Sequence, residues 1–363
     1  LLEAGLPLCP VALFPGDMPV EPGWPAVTCL TAGGPGRASG GATGPPRALR
    51  IPARWRERWS LWTHRRQRAV LVEFARAHGA VHLHAEFADL PGLLAAAAAR
   101  DLGTSYSVGV HARDVYQPKF RLAVLLGQAR FVTVCNEAAR GAVLAACPEV
   151  AARLHFIPHG VDLKAWPFRQ RPFAPHGEMR LLYAGRFVEK KGVDTLLRAV
   201  ATLAHRGLPL ALSLAGNGPL EASLKALARD LGVEHCVDWL GVLSHERVRL
   251  TLGAVDCLAV PSRVGRDGDR DGVPNIVLEA MAAGVPVVGT RVGGLGEVLG
   301  PQTGWPCAPG DPEALAEALR AVAGKAVEVE QRRRAARALL EGRYDARRLA
   351  AERAALFRDV LPG

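Results

Sequence analysis

Residues 179–192 read MRLLYAGRFVEKKG, and this stretch decides the fold. Its first six residues are apolar apart from Arg180 and stop at Gly185, which predicts a buried strand. Behind that glycine come Arg186, Lys190, Lys191 and Gly192, and a helix is expected from Gly192 to Arg206, where apolar positions recur with helical period. A strand that turns through glycines and cations into a helix is the opening unit of an open parallel sheet. Free amides and two or three cations then converge at the strand's carboxyl end, which suits a diphosphate. Arg offers a planar fork of donors and Lys a point charge, and together they can neutralise a leaving pyrophosphate. An ordinary basic first turn would look the same in isolation, so the neighbours decide.

Downstream the alternation continues. Strand LALSLAG runs into the loop Ala215, Gly216, Asn217, Gly218 and Pro219, whose small residues let a ligand approach the backbone. A helix from Leu220 to Leu231, strand VDWLG, a helix at His245 to Leu252 and strand CLAVPS with Pro261 and Ser262 follow. Asp271, Gly272, Val273 and Pro274 then lead into helix PNIVLEAMAAG, which carries Glu279, and strand VPVVGT precedes Gly293, Gly294 and Glu297. Amides of Gly272, Val273, Asn275 and Ile276 would face an anion at that helix start. Asp271 in the loop and Glu279 two turns along can flank one ligand, Glu279 at a ribose's hydroxyls and Asp271 at a sugar's. From Asp311 the tail is helical almost to its end, and its basic run QRRRAARALL reads as a solvated face.

Upstream lies a second block of the same kind. Strands are expected near Val11 to Phe14, Val81 to His84, Tyr106 to His111 and Arg130 to Cys135, with helices over Leu90 to Leu102 and from Asn136, and HFIPHGV closes the block. Leu163 to Met179 carries Pro167, Pro172 and Pro175 without periodicity and reads as a linker. The expected division is therefore 1–165, a linker at 166–178, 179–343, and a last helix at 344–363 packing back on the first domain. His84 and Glu86 end one strand and His111 the next, with Asp114 behind it. A histidine there is either a hydrogen-bonded core residue or a catalyst. His82 shares the face of His84, but spacing alone makes no zinc pair.

Composition sets the outer bounds. The 363 residues are 49% apolar and 22% charged, a globular balance of about two domains. The 39 Gly and 27 Pro follow no period, which excludes collagen-like and low-complexity chains. Seven cysteines are scattered without a CxxC pair, so no disulfide framework or zinc ribbon is expected and a reducing compartment is the default. The longest apolar run, Leu90 to Ala99, falls well short of the ~20 residues that span a bilayer, so a cytoplasmic chain is expected. The first residues, LLEAGLPL, read as the end of a helix, and the chain is expected to be incomplete at its N-terminus.

The net charge of +10 is unevenly placed: residues 1–176 hold 20 Lys and Arg against 12 Asp and Glu, the remainder 25 against 23. Arg47 to Arg68 alone contains eight Arg and one Glu, interleaved with Trp55, Trp59 and Trp62 on one helical face. Two readings stand: a peripheral helix on an anionic membrane, at the inner face, or a helix whose Trp stripe packs inward on its own domain. No nucleic-acid recognition motif surrounds it, so no nucleic-acid partner is expected. DGDRDG at 267–272 imitates the start of a calcium loop, but Leu278 stands where the bidentate carboxylate should be, and its DxD lacks the expected context. No metal is expected, and neither GGPGRASG nor GNGPLE has dinucleotide spacing.

Taken in order, GRFVEKKGVDTLLRA, AGNGPLEASL, VPS, DGVPNIVLEAMAAGVPVVGT and GGLGEV resemble the retaining glycosyltransferases of family 4. HAEFADLPGLLAAAAARDLGTSYSVGVHARDVY and LHFIPHGVD extend the likeness over most of the chain, and HARDVY with GVPNIVLEAMA is especially similar to exopolysaccharide (colanic acid type) enzymes. The resemblance implies an α/β GT-B fold, two Rossmann-like doubly wound domains facing across a cleft. It implies a hexose moved from a UDP- or GDP-linked donor to a glycan or lipid-linked acceptor, with no cofactor, since the nucleotide sugar is a substrate. Arg186 and Lys191 would hold the diphosphate, Glu279 the ribose and Asp271 the sugar. Gly185, Gly216, Asn217, Gly218, Pro261, Ser262, Gly272, Val273, Pro274 and Asn275 would complete the donor site. His111 would face the reacting sugar, with His84, Glu86 and Asp114 on the acceptor side. The family usually carries Glu where Asp271 stands, and a first strand with a glycine-rich loop ahead of Leu1. A non-catalytic sugar-binding relative and a nucleotide-sugar epimerase are the alternatives.

Overall fold

The structure, a computed structural model, describes residues 11–12, 28–29, 53–169 and 177–361. The helix end expected at the N-terminus, Leu13 and Phe14, the loop at 33–40, Arg47, Arg50 and the linker residues 170–176 lie outside these. Two compact units result: one takes residues up to 134, 139–156 and those from 350 on, the other 135–138 and 157–349.

The first unit opens with β1 (Val11–Ala12) and β2 (Thr28–Cys29), which pair in parallel. There follow α1 (Ala53–Thr63), α2 (Arg65–Ala77), β3 (His82–Ala85), α3 (Leu90–Leu102), β4 (Ser105–Val110), α4 (Ala112–Tyr116), α5 (Leu122–Leu126), β5 (Val132–Val134), α6 (Glu137–Ala146) and β6 (Leu154–Phe156). Strands β3, β4, β5 and β6 form a parallel sheet in that order. Five of six residues of β4 and all of β5 are buried, as for strands covered on both faces.

One expectation for this unit fails. The Trp stripe of α1 does not pack inward: Trp55, Trp59 and Trp62 are 48%, 54% and 58% exposed. Glu57 and Leu61 take the inward face instead, roughly half a turn round the helix from the indoles. Glu57 accepts from both the backbone amide and the Nε of Arg121, at 3.2 and 3.0 Å, and this bond fixes the rotation of the helix.

The second unit contains β7 (Met179–Ala184), α7 (Val193–His205), β8 (Leu210–Ala215), α8 (Glu221–Asp230), β9 (Val237–Gly241), α9 (His245–Ala254), β10 (Cys257–Val260), α10 (Asn275–Ala283), β11 (Val287–Thr290), β12 (Trp305–Cys307), α11 (Pro312–Gly324), α12 (Ala326–Arg343) and α13 (Ala346–Arg358), the last running into the first unit. Its six strands are all parallel, in the order β12-β11-β10-β7-β8-β9. The connections therefore leave β7 on one side and β10 on the other, and a crevice opens between their carboxyl ends.

Two further expectations are corrected here. QRRRAARALL is not a solvated face: Arg333 is buried, its Nε donating to the Gly284 carbonyl and a terminal nitrogen to that of Arg169 at 2.8 Å. Arg337 donates to the carbonyls of Trp166 and Ala282, and Arg332 stacks over Trp305. The carbonyls left open where α10 ends attract guanidinium forks, and α12 supplies them. The expected linker is likewise tied down over residues 163–169. Trp166 is buried in the core of the second unit, and the amide of Arg169 donates to the Ala283 carbonyl at 3.0 Å.

Candidate active site

The crevice of the second unit is lined by the turn after β7 and the loop after β10. Lys190 and Lys191 lie on a single 3-10 turn, Glu189–Lys191, which Gly192 closes in the left-handed region with φ 63°. A Cβ on Gly192 would stand 2.0 Å from the Pro261 carbonyl oxygen, so only glycine lets the two loops touch. The same logic applies at the GNG loop. A Cβ on Gly216 would stand 2.0 Å from the Gly185 oxygen, so the glycine serves the approach of two protein loops. Asn217 is exposed and its carbonyl accepts from the Phe187 amide at 2.7 Å.

Asp271 is the centre of the crevice's charge. Its carboxylate sits 2.7 Å from Lys191 Nζ and 3.4 Å from Lys190 Nζ, and it accepts from Ser262 Oγ at 3.0 Å. Asp269 holds Lys190 from a second direction, at 2.9 Å. The carboxylate is 10% exposed and the ammonium groups 24% and 19%, so the attraction is only partly screened by solvent. Burial, and then the charge of Asp271, push the Tyr183 phenol up, and its hydroxyl donates to the Arg186 carbonyl at 2.9 Å. Arg186 itself is exposed, with no ion pair among the described residues.

Across the loop, no side chain caps the start of α10 at Pro274, which leaves the helix's first amides to other partners. Val273 turns its side chain into the core, so it can offer a ligand only backbone, while Asn275 is exposed. Glu279 lies one turn further on, with His245 Nε2 at 3.3 Å; burial raises its pKa and the imidazole partly offsets this. The structure thus joins Lys191, Ser262 and Asp271 in direct contact. Asp267 accepts the amide of Asp269, and Asp269 shares Lys190 with Asp271.

In the first unit the polar set collects on Glu86. His111 Nε2 stands 3.7 Å from one carboxylate oxygen, and His84 Nε2 and an Arg353 guanidinium nitrogen stand 3.6 and 3.2 Å from the other. The nearby imidazoles of His111 and then His84 hold the Glu86 carboxyl well below the usual range, against the pull of burial. Asp114 is buried and accepts the backbone amide of His111 at 2.9 Å, so it fixes the histidine's backbone rather than offering a carboxylate outward. His82 and His84 share the Ser107 hydroxyl, both at 2.7 Å. Burial, then the charges of His84 and Arg130, lower the His82 pKa to about 4.

Sequence reasoning left Lys190, Asp269 and Arg353 unassigned. For the first two a signal existed: paired cations at 190–191 face alternating acids at 267–271. For Arg353 the return of the last helix to the first unit was expected, but not which of its residues would face Glu86.

A doubly wound parallel sheet that gathers cations and carboxylates at its switch point defines a class, the α/β proteins that hold a ligand at strand carboxyl ends. Within that class two family models cover the chain in succession, Glycosyltransferase Family 4 over residues 26–165 and Glycosyl transferases group 1 over residues 165–338, and the chain belongs to this GT-B family. The amylovoran biosynthesis glycosyltransferase AmsK of Erwinia amylovora is 32% identical over 200 residues, 55% of this chain and 48% of that protein. The putative colanic acid biosynthesis glycosyltransferase WcaL of Escherichia coli is 34% identical over 164 residues, 45% of this chain and 40% of that one. The chain spans about half the length of such relatives or less. Sucrose-phosphate synthase of Thermosynechococcus elongatus shares the fold with TM-score 0.74 and 22% identity, over 96% of this chain and 87% of that one. Anabaena HepE, solved with UDP and glucose, has TM-score 0.68 and 20% identity, over 82% and 83%. No described helix is long and apolar enough to cross a membrane.

Proposed function

We propose that the chain carries out retaining transfer of a hexose from a UDP- or GDP-linked donor to a hydroxyl of a glycan or lipid-linked oligosaccharide. One observation carries the reading: Lys190, Lys191 and Asp271 meet within 2.7–3.4 Å at the switch point of a doubly wound sheet, beside the uncommitted Arg186. The names of the relatives, and the UDP and glucose held by HepE, support it.

In this reading Arg186 and Lys191 grip the diphosphate, Glu279 the ribose and Asp271 the sugar, while His111, His84 and Glu86 serve the acceptor side. The bond between the anomeric carbon and the diphosphate oxygen breaks, and its electron pair leaves with the diphosphate. An acceptor hydroxyl bonds to that carbon on the same face, and its proton passes to the departing phosphate. The cations stabilise charge where it develops, each such contact lowering the barrier by about 3–4 kcal/mol. The step asks for no cofactor.

Nucleotide release from UDP- and GDP-hexoses, measured with and without a glycan acceptor, tests this. Release that requires acceptor and drops about a hundredfold or more in Lys191→Ala is expected. Release indifferent to acceptor, epimerised donor, or binding without turnover of any donor contradicts it.

A further inference from the structure

Helix α1 is amphipathic in the reverse of the usual sense. Its inward face is held by an ion pair, Glu57 to Arg121, by Arg56 donating to the Lys119 carbonyl at 3.1 Å, and by Leu61 against the core. Its outward face carries the three largest side chains it has. Trp59 and Trp62 lie against each other with ring centroids 5.3 Å apart, Arg58 covers the Trp55 ring at 5.4 Å and Arg65 the Trp62 ring at 4.9 Å. Arg66 follows on the same side, exposed. By contrast α2 turns Val72 and Ala75 inward in the ordinary way, so the exposure of the indoles is not a property of the whole region.

We infer that α1 and the start of α2 dock this domain on an anionic bilayer. Charge complementarity names the occupant. Three half-exposed indoles need a partner that is apolar below and polar at its surface, and the guanidiniums of Arg58, Arg65 and Arg66 beside them need one that is negative. Indole rings settle at the headgroup level, where ring and N–H each find a suitable medium, and the flanking cations meet phosphates there. Because α1 is pinned to its domain by Glu57, Arg56 and Leu61, the indole face is presented as a rigid unit and little ordering is needed on docking.

The test uses the whole chain with phosphatidylcholine vesicles, with and without phosphatidylglycerol. Flotation with the phosphatidylglycerol vesicles, a blue shift of Trp emission and weakening by salt are expected. Each cation near such a surface contributes about fivefold to partition, so Arg58→Glu/Arg65→Glu/Arg66→Glu should lose on the order of a hundredfold or more. Trp55→Ser/Trp59→Ser/Trp62→Ser should lose binding and the blue shift together. Both variants should keep wild-type unfolding temperature and nucleotide affinity, so the outcome is independent of the donor-site reading. A wild-type chain that ignores anionic vesicles, or either variant binding like wild type, overturns the inference. So does self-association of the chain that the Trp substitutions abolish, since the occupant would then be a second copy.

Discussion

If the turn after β7 binds a diphosphate as proposed, that ligand competes with Asp271 for the same two ammonium groups. With Lys191 at 2.7 Å and Lys190 at 3.4 Å, the carboxylate neutralises the turn after β7 in the ligand-free chain, and Ser262 holds it in place. Binding must exchange one anion for another. Asp271→Asn should therefore raise the affinity for UDP or GDP several-fold, about 1 kcal/mol, while turnover falls about a hundredfold because the sugar loses its partner. Calorimetric titration alongside kcat separates the two effects; affinity falling in step with turnover would sink this account. On the other unit, Glu86 is the corresponding organiser, anchoring His84, His111 and Arg353. The sequence made His84, Glu86 and His111 visible as strand-end residues, and the return of the last helix, but not that Arg353 on it would face Glu86.

Elements stand or fall by how closely their ends approach. Gly192 carries φ 63° and has no room for a Cβ, so Gly192→Ala should destabilise the second unit by about 3 kcal/mol or more, a loss of roughly 6–12 °C in Tm. Gly324→Ala, where a Cβ meets nothing within 4 Å, is the matched control and should leave Tm within about 2 °C. Comparable melting of the two variants would contradict the packing of the two loops. The strands from β7 to β11 were legible because four to six apolar residues end in glycine, proline or a polar turn. The two-residue β2, Thr28–Cys29, shows why others were not: it spans no more than one period of strand alternation. The helical phase of α1 stood open between two readings, and the capping arginines of α12 read as a solvated face. Composition gives a helix its faces, but Glu57 pairing with Arg121, and Arg333 reaching Gly284, decide which face turns inward.

Over the whole molecule, the two proposals fall on stretches of different charge. The excess of basic residues lies in residues 1–176, whereas the remainder is nearly balanced and binds, in this account, by local placement of a few cations. A broad positive field suits an extended anionic surface, and a compact cationic turn suits a small ligand with two phosphates. The uneven charge was legible from the position of Lys and Arg alone; the contact of Lys191 with Asp271 was not, because it depends on Gly192 bringing two loops together. Titration of UDP and of GDP into the wild-type chain and into Arg186→Ala/Lys191→Ala, with unfolding temperature followed in parallel, probes the proposed grip on the diphosphate. Two lost charge-assisted contacts, each about 1.5–3 kcal/mol, predict a fall in affinity of a hundredfold or more, with a loss of Tm from the Asp271 carboxylate left without Lys191 as well. Equal affinity in the two proteins would contradict it.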